Sequence, residues 1–210
     1  MRAIQKAAEP ASLTQHRAAG GGYDGYPDKK VLAAALVREQ RGLCAYCLSR
    51  IRAAYGEVRI EHWHSRSAYA GEQLDYSNLL AVCMGNEGEP FRDQHCDTHK
   101  GDRELSRNPA DPAHRIEEVL WFGADGSLNS RDTSFDLEID RVLNLNYKRL
   151  QNNRKATLTA FTIALGKRGT LSRAQLEKWL REWDGANEGS DLRPYCQVVV
   201  YWLKKRLARA

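Results

Sequence analysis

Two sets of residues in this chain could do chemistry, and they are interleaved. Cys44 and Cys47 are separated by two residues, Cys83 and Cys96 by twelve. Among them lie Glu61-His62, then Asn78, then Asp97-Thr98-His99. Four thiolates in a tetrahedron suit zinc, because thiolates are soft, anionic and geometrically undemanding ligands. The first pair has zinc-knuckle spacing. The second pair is wide, and it closes the tetrahedron only if residues 84–95 form an excursion that returns Cys96 to the metal. His95, beside Cys96, is an alternative ligand. A C-x-x-C pair also has two plainer readings: a chance pair of buried thiols, or a redox dithiol. A redox dithiol belongs between the strand and helix of a βαβ unit, whereas the surroundings here read as a short hairpin. Cys196 stands alone in the last helical stretch and reads as a small core residue.

The acid–histidine pair points to phosphodiester hydrolysis. That reaction needs a base to deprotonate water and a divalent cation to stabilise charge on the phosphate and leaving oxygen. A hard cation such as Mg²⁺ takes oxygen ligands and keeps several waters, so one carboxylate and one further ligand suffice. Taken singly, each residue has a bland explanation: a hydrogen-bonded histidine, a solvated glutamate, a capping asparagine. The joint pattern inside a cysteine frame is what carries the reading.

Over residues 43–105 the chain resembles the HNH endonucleases with four zinc cysteines. Their pattern runs C-x-x-C, an acid and a histidine after a strand, Asn-Leu, then a second cysteine pair and a short helix. Here these are Cys44/Cys47, Glu61-His62, Asn78-Leu79, Cys83 and Cys96. Further segments look like the PtuB family: Tyr23-Asp24-Gly25-Tyr26, Glu39-Gln40, Leu43 to Cys47, Tyr76 to Leu80, Lys100-Gly101-Asp102 and Leu143-Asn144-Leu145-Asn146. PtuB is the HNH component of Septu and some retron anti-phage systems, where it works beside an ATPase called PtuA.

The resemblance implies an α+β fold: a ββα-metal (HNH) finger with a structural zinc on Cys44, Cys47, Cys83 and Cys96, embedded in a mainly helical domain. It also implies a Mg²⁺- or Mn²⁺-dependent endonuclease acting on DNA first and RNA as the alternative, with a PtuA-like ATPase partner. His62 is then the general base and Glu61 a metal ligand. Asn78 either orients the loop carrying His62 or helps hold the metal. For the last ligand, register favours Asp97 and residue identity favours His99, and both could face the site from the first turn of the helix. The family's proline after the histidine region is replaced by Ser65-Arg66-Ser67. His64 is either structural or a phosphate contact. The competing function is a non-catalytic zinc module that binds nucleic acid or a partner.

The elements that must position these residues follow from pattern. Residues 1–27 lack periodicity and read as an extended arm ending in a turn at Tyr26-Pro27. A helix runs from Asp28 as N-cap to about Arg41, stopped by Gly42. Val58-Arg59-Ile60 alternates as a strand, residues 63–77 read as loop, and Leu79 to Val82 is a short apolar run. Ile116 to Phe122 and Ser127 to Asn129 flank Ala124-Asp125-Gly126 as a hairpin. Helical patterns cover 134–145, 147–166, 172–184 and 193–209, with Pro194 in the first turn of the last. This divides the chain into an arm and helix (1–42), the HNH core (43–107), and a hairpin with a helical tail (108–210).

The 210 residues are 42% hydrophobic and 28% charged, an ordinary folded composition. Five cysteines, an odd number, without an apolar leader argue against a disulfide framework. The MRAIQKAAEP start is not a secretory signal and no run is long enough to span a bilayer, so a cytoplasmic chain is expected, away from membranes. A net charge of +5 fits a nucleic-acid partner without establishing one. Arg50, Arg52, Arg59, Arg66, Arg92, Lys100, Arg103 and Arg107 cluster near the candidate site, diluted by Glu57, Glu72, Glu87 and Glu89.

Overall fold

The computed structural model describes residues 1–166, 171–186 and 190–209. It mixes helix and strand, with helix dominant. In chain order the elements are α1 (Ala11–Ala18), α2 (Lys29–Glu39), β1 (Arg59–His62), β2 (Leu79–Val82) and α3 (Cys96–Lys100). Then come α4 (Ile116–Val119), β3 (Leu120–Phe122), β4 (Leu128–Ser130), α5 (Thr133–Arg141), α6 (Lys148–Gly166), α7 (Arg173–Asp184) and α8 (Cys196–Leu207).

β1 and β2 pair antiparallel, with Glu61 opposite Leu80 and His62 opposite Leu79. β2 is buried along its whole length, and its apolar run is what a strand covered on both faces requires. The cysteine knuckle lies along β2: the Ala45 amide donates to the Ala81 carbonyl at 3.0 Å. Gln40 secures the same edge. Its side-chain amide accepts from the Ala81 amide at 2.7 Å and donates to the Ala81 and Leu43 carbonyls. A buried polar side chain satisfied at every bond fixes one register, since any slip would orphan it.

Two apolar clusters fill the interior. One packs α1 and α2, the knuckle, β1 and β2, the β3–β4 hairpin, α5 and the start of α6. The other packs the end of α6 with α7 and α8 around Phe161, Trp183 and Val199, and takes in Leu43 and Leu48 from beside the knuckle. The cysteine knuckle therefore lies at the seam between the two clusters.

Several local expectations need correction. The N-terminal arm contains α1; only Leu13 of it is buried, so no apolar stripe signals the helix in sequence. Residues 116–119 form a helical turn, so β3 starts at Leu120. α8 begins at Cys196 rather than 193. Pro194 precedes its N-cap, Tyr195, which has φ 57° and directs the chain into the helix. Val198, Val199 and Val200 of that helix are buried, while Tyr201 and Trp202 are half-buried.

Candidate metal centre and active site

The four cysteine sulfurs lie within 4.8 Å of one another. Cys44 Sγ is 3.8 Å from Cys96 Sγ, and Cys47 Sγ is 3.7 Å from Cys83 Sγ. All four are free thiols. Zinc–thiolate bonds of about 2.3 Å define a tetrahedron whose edges are about 3.8 Å, matching both separations. The ionisation pattern agrees. Hydrogen bonds from Cys44, Cys83 and Cys96 hold the Cys47 thiol well below its ordinary range, while Cys83 is pushed well above by Cys44 and Cys47. A cluster that can hold little negative charge unaided is one that a divalent cation completes.

The wide Cys83–Cys96 interval closes through a stapled excursion. The His95 amide donates to the Gly85 carbonyl at 3.0 Å, and Asn86 Nδ2 to the Asp93 carbonyl at 2.8 Å. Thr98 Oγ1 donates to the Met84 carbonyl at 2.8 Å. Asn144 reaches in from beyond α5, donating to the Arg92 and Gln94 carbonyls, and the Leu143 carbonyl accepts the Cys96 amide at 2.9 Å. This gives the Leu143-Asn144 segment its role: it ties the loop back so that Cys96 reaches the cluster. His95 Nδ1 stays outside the sulfur set, 3.2 Å from Cys96 Sγ. Gly85 has φ +57°, and a Cβ there would collide with the His95 carbonyl. Gly85→Ala should therefore cost about 2 kcal/mol or more in denaturant unfolding, with reduced zinc retention by metal analysis.

On the other side of β1 an open cleft of roughly 490 Å³ is lined by Arg59, Glu61, His62, Ser65, Arg66, Asp97 and Lys100 among others. Glu61 and His62 are both buried, at the end of the strand. His62 Nε2 lies 3.0 Å from the Gln73 carbonyl. A carbonyl only accepts, so Nε2 carries the proton and Nδ1 keeps its lone pair. Burial lowers the His62 pKa to about 4, so the ring is neutral at neutral pH. Tyr23 packs edge-on against it at 4.5 Å.

Glu61 Oε1 accepts from the Tyr46 hydroxyl and from Lys100 Nζ, each at 2.9 Å. Asp97 lines the same cleft, with Arg59 Nη1 3.7 Å from its Oδ2. Burial first, and Asp97 second, push the Glu61 pKa well above the usual carboxylate range. Glu61 and Asp97 thus bring carboxylate oxygens to one cleft, the ligand type that a hard divalent cation takes.

Asn78 does not point at these carboxylates. Its Oδ1 accepts the His64 amide at 2.7 Å and its Nδ2 donates to the His64 carbonyl at 3.1 Å, so it holds the loop after His62. His64 pairs with Glu72 through Nδ1 at 2.7 Å. The structure separates the two candidates for the last ligand. Residues three apart share a helix face, so Asp97 and Lys100 both line the cleft. His99 lies about 200° around from Asp97 at 100° per residue. Its Nδ1 donates to the Val142 carbonyl at 2.9 Å, and its ring stacks on Phe91. Asp97 and His99 thus do not face one site together.

Tyr46 and Lys100 carried no catalytic signal in sequence. Only burial of the Lys100 ammonium, 1% exposed and paired to Glu61, marks it. Of the clustered basic residues, Arg59, Arg66 and Lys100 line the cleft. Arg59 also pairs with Glu87 and Arg66 with Asp24, while Arg50, Arg52 and Arg107 pair with Asp191, Glu57 and Asp132.

No family model matches the chain. Among curated proteins it is similar to the "Retron Ec83 putative HNH endonuclease" of Escherichia coli, 27% identical over 230 aligned positions that cover 88% of each chain. That similarity supports an HNH-type nuclease in general terms, and the cysteine cluster suggests zinc binding. Among the described residues, no helix is long and apolar enough to cross a membrane.

Proposed function

We propose that this chain is a divalent-metal-dependent endonuclease that hydrolyses phosphodiester bonds, DNA foremost, on a ββα-metal core braced by zinc. The observation that carries it is His62, its Nε2 committed to the Gln73 carbonyl so that Nδ1 keeps its lone pair, lining one open cleft with the carboxylates of Glu61 and Asp97. His62 Nδ1 takes the proton of the attacking water. The Gln73 carbonyl holds the required tautomer, and Asn78 holds the loop in place. Glu61 and Asp97 would hold Mg²⁺ or Mn²⁺, which would supply stabilisation of charge on the phosphate and the leaving oxygen. Arg59 and Arg66 line the approach of the anionic backbone. The PtuB resemblance extends the reading to an effector of an anti-phage complex with a PtuA-like ATPase.

Asp97 is read as the last ligand because it shares the cleft with Glu61, and His99 is not. The test is cleavage of DNA by the purified chain, with its ATPase partner where activation requires it, as Mg²⁺ is titrated. Asp97→Asn should lose roughly 10- to 100-fold in activity or apparent metal affinity, while His99→Gln stays close to the parent. The reverse order would reassign the ligand. Cleavage that is absent under every activating condition would leave the non-catalytic zinc module.

A further inference from the structure

We propose that the outer face of Tyr69 is a stacking platform for an unpaired nucleobase next to the phosphate in the cleft, so that the preferred substrate is single-stranded or locally opened nucleic acid. This rests on the nuclease reading and deepens it.

The loop leaving β1 carries three rings in a ladder. Trp63 and His64 have centroids 4.1 Å apart and planes 31° apart; His64 and Tyr69 are 4.1 Å and 13° apart. The ladder begins at Trp63, half-buried against the main core, and ends at Tyr69, which is 38% exposed and belongs to neither apolar cluster. Its middle rung is held rigidly. His64 Nδ1 bonds the Glu72 carboxylate at 2.7 Å, and Asn78 grips its backbone on both sides. The Tyr69 amide donates to the Ser65 carbonyl at 2.9 Å, and the Tyr69 carbonyl accepts from the Glu72 amide at 2.9 Å.

The inner face of Tyr69 is thus covered by an imidazole, and no second ring or cation stands over it among the described residues. Tyr23, on the opposite side of His62, differs: Lys29 and Arg66 each sit 4.9 Å over its ring. A flat, preorganised ring left open to water on one face suits a flat ligand. The same turn supplies the ligand's chemistry. Ser65, Arg66 and Ser67 line the cleft with His62, and Tyr69 closes the same turn through its amide bond to the Ser65 carbonyl, which puts it one turn of chain from the cleft wall. A base inside a duplex has both faces covered, so only an unpaired base can use this platform. Stacking is tolerant of sequence, because every base has a π-face.

The test is binding, read by fluorescence anisotropy with Mg²⁺ at low salt, in a His62→Ala parent that leaves the strand uncut. The two ligands are a single-stranded DNA oligonucleotide and a fully abasic strand of the same length. Tyr69→Leu, which keeps apolar bulk over His64, should weaken binding of the intact strand roughly 5- to 150-fold, and Tyr69→Phe should change it little. Parent and variants should bind the abasic strand alike. Equal loss on both strands, or no loss on the intact one, overturns the platform and leaves the nuclease reading standing. A parent that binds duplex DNA but not the single strand does the same. A parent that binds no nucleic acid overturns both.

Discussion

Cys44→Ser should release the zinc and unfold the centre of the molecule, the largest effect expected of any single change in this chain. Cys44 is fully buried, its sulfur is 3.8 Å from Cys96 Sγ, and its neighbour Ala45 is bonded to β2. Structural zinc contributes roughly 10–16 kcal/mol of apparent binding energy in small zinc peptides, comparable to or larger than the roughly 5–15 kcal/mol net stability of a whole domain. Losing one thiolate forfeits much of that. It also leaves the Leu143–Asn144 clamp holding a loop with nothing to close upon. A loss of about 5 kcal/mol corresponds to a Tm fall of roughly 10–20 °C in a chain of this size. Metal analysis should give one zinc per parent chain and little in the variant, and chelation of the parent should reproduce the fall. Cys196→Ser is the control, because Cys196 is buried in the second cluster, away from the sulfurs, and should leave zinc content intact. Full zinc in Cys44→Ser, with an unchanged Tm, would remove the cluster from the structural account.

The second large effect is on turnover alone. His62→Ala should lower cleavage by roughly 10²- to 10⁴-fold, the range supplied by a positioned general base. The imidazole reaches the cleft with Nε2 committed to the Gln73 carbonyl, so no other nitrogen of this ring can replace Nδ1 as base. His64 cannot substitute either, since it lines a separate pocket with Trp63 and Glu72 rather than the cleft that holds His62. Zinc content and far-UV circular dichroism should match the parent, because the lost contacts are one hydrogen bond and the edge of Tyr23. The ring's own titration, followed by NMR, should fall near the lowered value of about 4. The sign is that of a base whose charged form is penalised by burial: it stays neutral as pH falls through 6 and protonates only well below. Cleavage unchanged in His62→Ala would sink the mechanism.

How much of this was legible in the chain depends on how local each cause is. The C-x-x-C knuckle and the apolar run at Leu79 to Val82 are short-range patterns and appear where spacing put them, while the strand expected at Val58 to Ile60 runs instead over Arg59–His62 and takes in the acid–histidine pair. Helical patterns after residue 133 are local in the same way, since caps such as Asp132 and Ser172 act within one or two turns, but the stretch expected to run to 145 stops at Arg141. α1 was missed because it buries a single side chain and so leaves no period to read.

What the sequence by itself determined is the inventory: two cysteine pairs, an acid–histidine pair, an asparagine and a short helix following Cys96, with types that suit zinc and a hard cation. Tertiary structure alone decided which of them meet. The twelve-residue excursion returns Cys96 to the cluster through staples within the loop and a clamp from Leu143 and Asn144, far along the chain. The turn of α3 sends Asp97 and Lys100 into the cleft and His99 toward Phe91 and Val142. Burial brings Lys100 and Tyr46 onto one oxygen of Glu61. A sequence states which groups are available. Distance and desolvation, which set whether those groups share a metal, a proton or nothing, exist only once segments remote in the chain are packed together.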